Sequence, residues 1–130
     1  MLFRSATLRV IDHFVVRPQA GSFLGILHYS DLSWFEGRLW VLCRQHRCVL
    51  EVEPRSHSVL AEYDYEALEN ELGYKSSLPI RVGVMEGLAV DRDYIWLATD
   101  NNGLARAADL RDTRPTLFQC RRPEDRKSVV

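Results

Sequence analysis

The chain has 130 residues, of which 46% are hydrophobic and 27% charged, and its formal net charge is -1. This composition excludes a wholly disordered chain, because there is enough apolar material to build the core of about one domain. The balance of 17 basic and 18 acidic residues gives no electrostatic reason to expect nucleic acid or an anionic membrane as a partner. No apolar run is long enough to predict a signal peptide or a membrane span. With Met1 as the true start, we therefore expect a cytoplasmic protein.

Short alternating apolar runs in the first half of the chain predict strands. One strand is expected within 7–14, and a second short apolar run covers 23–28. Four further runs follow at 31–35, 38–43, 48–53 and 59–65. The turn signal Glu36-Gly37 separates the first two of these runs, and a turn cluster at 54–58 separates the last two. This spacing predicts a four-stranded, up-and-down antiparallel sheet.

The three cysteines are Cys43, Cys48 and Cys120, and an odd number argues against a full disulfide framework. Cys43 and Cys48 can face each other across a tight connection and form a cross-link. The commoner fate of free cysteines is to be small buried hydrophobic residues, and we favour it here. The spacing of Cys43, His46 and Cys48 does not match a zinc site.

The second half of the chain begins with a change of pattern. Residues 66–72 are helix formers with Leu68 and Leu72 one turn apart, so a short helix is predicted there, followed by a loop. Strand patterns then return at 86–91, 94–99, 104–108 and 116–120. Residues 122–130 form a charged tail that we expect to be frayed.

The two sets of predicted strands align at a constant offset of 56 residues. The best matches are Leu32 with Leu88 and Trp40 with Trp96. Repeats of about 40–50 residues with four strands each are typical of β-propeller blades, and a β-sandwich with two similar hairpins is the alternative. The sequence thus predicts an all-β unit over 1–130, made of two four-stranded antiparallel blades with a helical excursion. We expect the first blade at about 31–65, the excursion at 66–84 and the second blade at about 85–121.

Polar residues cluster in the second blade. Glu86 begins the strand expected to line the central channel, and Gly87 lets neighbouring backbones approach each other. Asp100, Asn101 and Asn102 follow the next strand. Carboxylate and amide oxygens that converge from different loops suit Ca²⁺. The alternative is that residues 100–103 simply form a tight turn.

The stretches 86–91, 95–97 and 99–103 resemble a blade motif of the phytase-like, or esterase-like, β-propeller proteins. Residues 32–42 and 49–54 resemble a second blade, and the whole resemblance covers about 24–121. By that resemblance Glu86, Asp100 and Asn101 are the expected metal ligands, with Ca²⁺ as the cofactor. The first blade departs from the motif, because Arg44 stands where the second blade has Asp100.

Two blades cannot close a propeller ring. We therefore expect the chain to resemble the C-terminal blades of a larger propeller whose N-terminal blades are missing, or to complete the ring by self-association. The favoured function is a non-catalytic or weakly active module that binds a small-molecule ligand or Ca²⁺ at the channel end. The alternative is a fragment of a calcium-dependent ester or phosphoester hydrolase. Serine-hydrolase and phosphate-loop motifs are absent from the sequence.

Overall fold

The structure is a computed structural model that describes residues 6–19, 26–72, 83–100, 105 and 109–123, without the side chain of Leu72. In chain order the elements are β1 (Tyr29–Phe35), β2 (Arg38–Cys43), β3 (Cys48–Glu53), β4 (Ser58–Asp64), α1 (Glu66–Leu72), β5 (Met85–Val90), β6 (Tyr94–Thr99) and β7 (Leu117–Arg121). The first sheet has the order β1-β2-β3-β4, and the second has the order β5-β6-β7. Neighbouring strands are antiparallel throughout. Within these residues, no helix has both the length and the apolar character needed to cross a bilayer.

The turns of the first sheet explain its meander. Glu36 and Gly37 have φ values of 47° and 72°, which is the type I′ geometry that matches the twist of a two-residue hairpin. The loops 44–47 and 54–57 each end in a residue with positive φ, Arg47 at 53° and His57 at 61°. The hairpin predicted around Glu36-Gly37 and the helix predicted at 66–72 are both confirmed.

The first two strands of each sheet share the same register. The corresponding pairs are Leu32 with Val41 and Leu88 with Leu97, and Ser33 with Trp40 and Ala89 with Trp96. Even the irregularity recurs, because the register shifts between Tyr29 and Asp31 in the first sheet and between Met85 and Gly87 in the second. The two hairpins therefore repeat in three dimensions at the offset of 56 residues that the sequence predicts.

The second sheet differs from its prediction. A strand was expected at 104–108, but Ala105 lies outside any strand, and the rest of that range lies outside the described residues. The strand paired with β6 is instead β7, so the described second sheet has three strands rather than four. An apolar run alone does not specify which later strand takes the edge of a hairpin, because edge pairing depends on the length of the connecting loop.

The N-terminal prediction was also wrong. Residues 7–14 form no strand, although their sequence alternates, and the described part of the run 23–28 forms none either. Leu8 and Ile11 are each 96% exposed. The alternation is therefore not used here, because a strand needs a sheet edge to supply its hydrogen bonds.

Two apolar clusters place the first sheet in the middle of the molecule. One face packs against the second sheet through Trp40, Leu42, Leu88 and Leu97 among others. The opposite face holds the cluster Val16, Val41, Cys43, Cys48, Leu50 and Val52, which Phe14 and Leu27 partly cover. The first sheet is thus buried on both faces, whereas no described element covers the outer face of the second sheet.

Side chains of β1 join the two sheets. An Asp31 carboxylate oxygen accepts a hydrogen bond from the Leu88 backbone N–H at 2.7 Å, and the Ser33 hydroxyl accepts one from the Val90 N–H at 3.1 Å. Both bonds advance along the two strands in the same direction, so β1 and β5 run parallel. Four strand ends therefore meet at one end of the molecule: the starts of β1 and β5 and the ends of β2 and β6.

Candidate functional site at the shared end of the sheets

The shared strand ends bring together two of the three predicted metal ligands. Glu86 lies in the irregular start of β5, and Asp100 directly follows β6. The Asp100 backbone N–H donates to the Val84 carbonyl oxygen at 2.9 Å, which ties the two segments together. Asn101, the third predicted ligand, lies outside the described residues. The sequence was sufficient to predict that Glu86 and Asp100 share an end of the sheet.

The Glu86 carboxylate faces a cation from the first sheet. Arg44 Nη1 lies 2.6 Å from Glu86 Oε1, and the Arg44 side chain is only 14% exposed. Arg44 Nε also donates to the Gly83 carbonyl oxygen at 2.6 Å, and the Gly83 N–H donates to Gln45 Oε1 at 3.2 Å. A Cβ at residue 83 would collide with the Arg44 backbone oxygen, so this close approach requires glycine. Arg44 is therefore held in position by both its charge and the backbone around it.

This arrangement gives Glu86 a partner other than a metal ion. Calcium requires six to eight oxygen ligands. Within the described ranges, no three His, Cys, Asp or Glu side chains lie together in a way that could hold a metal. The exposed Asp100 carboxylate and the paired Glu86 carboxylate do not supply that set by themselves. The Ca²⁺ site thus stays a prediction, and Arg44 is the residue that competes with it.

Sequence reasoning missed Arg44 as the partner of Glu86 and misjudged Asp31. By register Asp31 corresponds to Gly87, not to Glu86. Both Asp31 carboxylate oxygens accept backbone hydrogen bonds, from its neighbour Leu32 and from β5 across the joint. The available signal was the offset itself, since it places the basic Arg44 at the position of the acidic Asp100.

The described histidine–carboxylate pair is structural. His57 Nε2 lies 2.9 Å from Asp12 Oδ2, and the His57 ring stacks on Phe14 with 3.9 Å between ring centroids. Among the described residues, no hydroxyl or thiol is hydrogen-bonded to this ring. The pair holds the N-terminal segment against the loop before β4, and it lacks the nucleophile that general-base catalysis would activate.

The Cys43 and Cys48 side chains lie on paired positions of β2 and β3. Both are fully buried free thiols, so the interpretation as small buried hydrophobic residues is confirmed. The hydrogen bond with Cys43 and burial both raise the pKa of Cys48. A raised pKa keeps the thiol protonated, which makes it a poor nucleophile and a poor metal ligand.

No protein-family model matches the chain, and neither a curated protein nor a solved structure matches it. The likeness to phytase-like propellers therefore depends on the sequence motifs described above. The geometry adds the repeat of register, the parallel joint between β1 and β5, and the ion pair at the shared end.

Proposed function

We propose that the chain is a two-blade β-propeller module that binds a partner or ligand without catalysis. The observation that carries this proposal is the repeated register, with its repeated irregularity, in two sheets whose first strands run side by side and parallel. Adjacent propeller blades have this relation around a central channel. The pairing of Glu86 with Arg44 favours the non-catalytic interpretation over a calcium-dependent hydrolase.

The faces of the two sheets support the same proposal. In the first sheet, the face that carries Trp40 packs on the second sheet, which contributes Leu88. At the offset of 56, Trp40 corresponds to Trp96 on the outer face of the second sheet, and Leu88 corresponds to Leu32 on the opposite face of the first. The contact is therefore front to back. An unused front remains around Trp96, and an unused back remains around Leu32 and Trp34, which are 56% and 62% exposed.

A front-to-back contact can be repeated by adding further sheets at either end. The added blades would come from other copies of this chain or from the rest of a longer protein. In both cases Trp34 lies at a contact surface, because it flanks β1 on the unused back. Association through this surface would also bury the exposed apolar side chains that otherwise favour aggregation.

Light scattering after size-exclusion chromatography tests the proposal. We expect wild type to associate, and we expect Trp34→Glu to weaken that association while the circular dichroism spectrum stays unchanged. Leu110→Glu is the matched control, because Leu110 is 61% exposed and lies in a loop rather than on this face. A well-folded wild-type monomer at every concentration would overturn the proposal, and so would equal effects of the two substitutions.

Calorimetry with Ca²⁺ tests the hydrolase alternative. We expect no binding to wild type and no turnover of simple ester or phosphoester substrates. Calcium binding by wild type, together with turnover that is lost in both Glu86→Gln and Asp100→Asn, would establish the alternative instead. Binding that is gained only in Arg44→Gln would identify Arg44 as the group that excludes the metal.

A further inference from the structure

We propose that a cavity between the two sheets binds a small, neutral aromatic molecule that carries a hydrogen-bond acceptor. The cavity has a volume of about 180 Å³. Its wall is formed by Val49, Tyr63, Asp64, Tyr65, Leu68, Ile95, Leu97, Cys120, Arg121 and Pro123. It lies away from Glu86 and Arg44, so it is separate from the site at the shared strand ends and does not depend on the proposed function.

The position of the cavity follows from the way in which the sheets meet. They are joined along β1 and β5, where the side chains of Asp31 and Ser33 bond to the backbone of β5. Trp40 and Leu42 fill the space beside that joint. Farther out, strands β3 and β4 face β6 and β7, and Leu68 of α1 reaches the same space. The side chains there leave a gap, whereas protein interiors are usually close-packed.

The walls suit an apolar ring. Val49, Leu68, Ile95 and Leu97 supply aliphatic surface on both sides. An apolar cavity of about 150 Å³ can hold benzene, so a volume of 180 Å³ accommodates one aromatic ring with a small substituent.

One buried polar group calls for a ligand. Tyr65 is 4% exposed, and its hydroxyl has no hydrogen-bond partner among the described residues. Such groups are rare, because a buried hydroxyl loses its bonds to water. The neighbouring Tyr63 differs, since its hydroxyl donates to Glu51 Oε2 at 3.1 Å. Tyr65 is therefore the donor that a carbonyl or ether oxygen of the ligand would satisfy.

The charges on the cavity wall favour a neutral ligand. Asp64 and Arg121 are both exposed and carry opposite charges. A charged molecule would be attracted by one of these side chains and repelled by the other, and it would lose its hydration on entering the apolar part. An aryl ketone has the required neutral ring and acceptor oxygen.

The experiment compares acetophenone with ethylbenzene, which has a similar shape but no acceptor. We expect both to shift the methyl NMR resonances of Ile95 and Leu97, and we expect acetophenone to bind about tenfold more tightly, as one hydrogen bond allows. Tyr65→Phe should remove that preference and leave ethylbenzene binding unchanged. Tyr63→Phe is the matched control and should keep the preference.

A second measurement uses Cys120, which lies in the cavity wall and is half-buried. Saturating acetophenone should slow the reaction of this thiol with a maleimide in wild type, without any substitution that could affect folding. The proposal is overturned if neither probe shifts the methyl resonances at saturation. It is also overturned if Tyr65→Phe and wild type show the same preference, or if Cys120 reacts equally fast with and without acetophenone.

Discussion

Glu69 connects the helix to both sheets, and we expect Glu69→Ala to be strongly destabilising. Its carboxylate lies 2.9 Å from Arg47 Nε in the loop of the first sheet. The other carboxylate oxygen accepts the backbone N–H groups of Val84 and Met85, at 3.0 and 3.2 Å, where the second sheet begins. Glu69 is 3% exposed and Arg47 is 7% exposed, so water replaces none of these bonds in the folded state.

The expected cost can be worked out from these contacts. Removing one partner of a buried ion pair costs about 3–5 kcal/mol, because the other charge stays buried. Each hydrogen bond to a charged acceptor contributes about 1.5–3 kcal/mol, and such terms overlap rather than add. We therefore expect a loss of about 3–5 kcal/mol in the free energy of unfolding, which is a large part of the roughly 5–15 kcal/mol typical of a domain.

Urea unfolding followed by circular dichroism measures this loss. Glu71→Ala is the matched control, because Glu71 is exposed on the same helix and should change stability by only about 0.5 kcal/mol. Glu69→Gln should fall between the two, since it keeps an acceptor for the backbone groups but removes the charge. If Glu69→Ala costs no more than Glu71→Ala, the reasoning from the buried carboxylate is refuted.

Three further predictions concern other parts of the molecule. The Trp96 indole N–H, followed by the backbone N–H of Asp93, lowers the pKa of Asp91, so this carboxylate stabilises the fold above its unfolded pKa of about 3.9 and ceases to do so as the pH falls through its folded value. Asp91→Asn should therefore flatten the dependence of melting temperature on pH in the acid range, and an unchanged slope would contradict the assignment. Glu36→Gly should stabilise the protein to urea by about 0.5–1 kcal/mol, because Glu36 has a positive φ that disfavours side chains; a loss of stability would show that the Glu36 side chain itself matters. Native protein treated with Ellman's reagent should react first at Cys120, which is half-buried, and equally fast labelling of the fully buried Cys48 would show that the sheet opens readily.

Local signals made the hairpins and the helix predictable. The pair Glu36-Gly37 lies between two apolar runs and can adopt the positive φ angles of a two-residue turn. The offset of 56 residues was predictable because Trp40 and Trp96 each lie at the centre of an apolar strand. These features depend on residues that are close in sequence, or on a pattern that recurs along it.

Long-range pairing was not predictable in the same way. The run 7–14 alternates as well as any strand here, yet no sheet edge takes it, and the alternation itself carries no information about edges. The partner of Glu86 could not be identified from composition, because the contact with Arg44 depends on how two separate sheets are placed. Similarly, the cavity beside Tyr65 arises from the spacing between the sheets, which no local pattern determines.

The way in which the sheets are joined also bears on the order of folding. The first sheet is a meander whose loops of two and four residues bring neighbouring strands together, so its contacts are local and close at little entropic cost. The bonds from Asp31 and Ser33 to β5 join residues 57 positions apart, and such contacts form slowly. The first sheet should therefore form early and act as a template on which the hairpin of β5 and β6 docks.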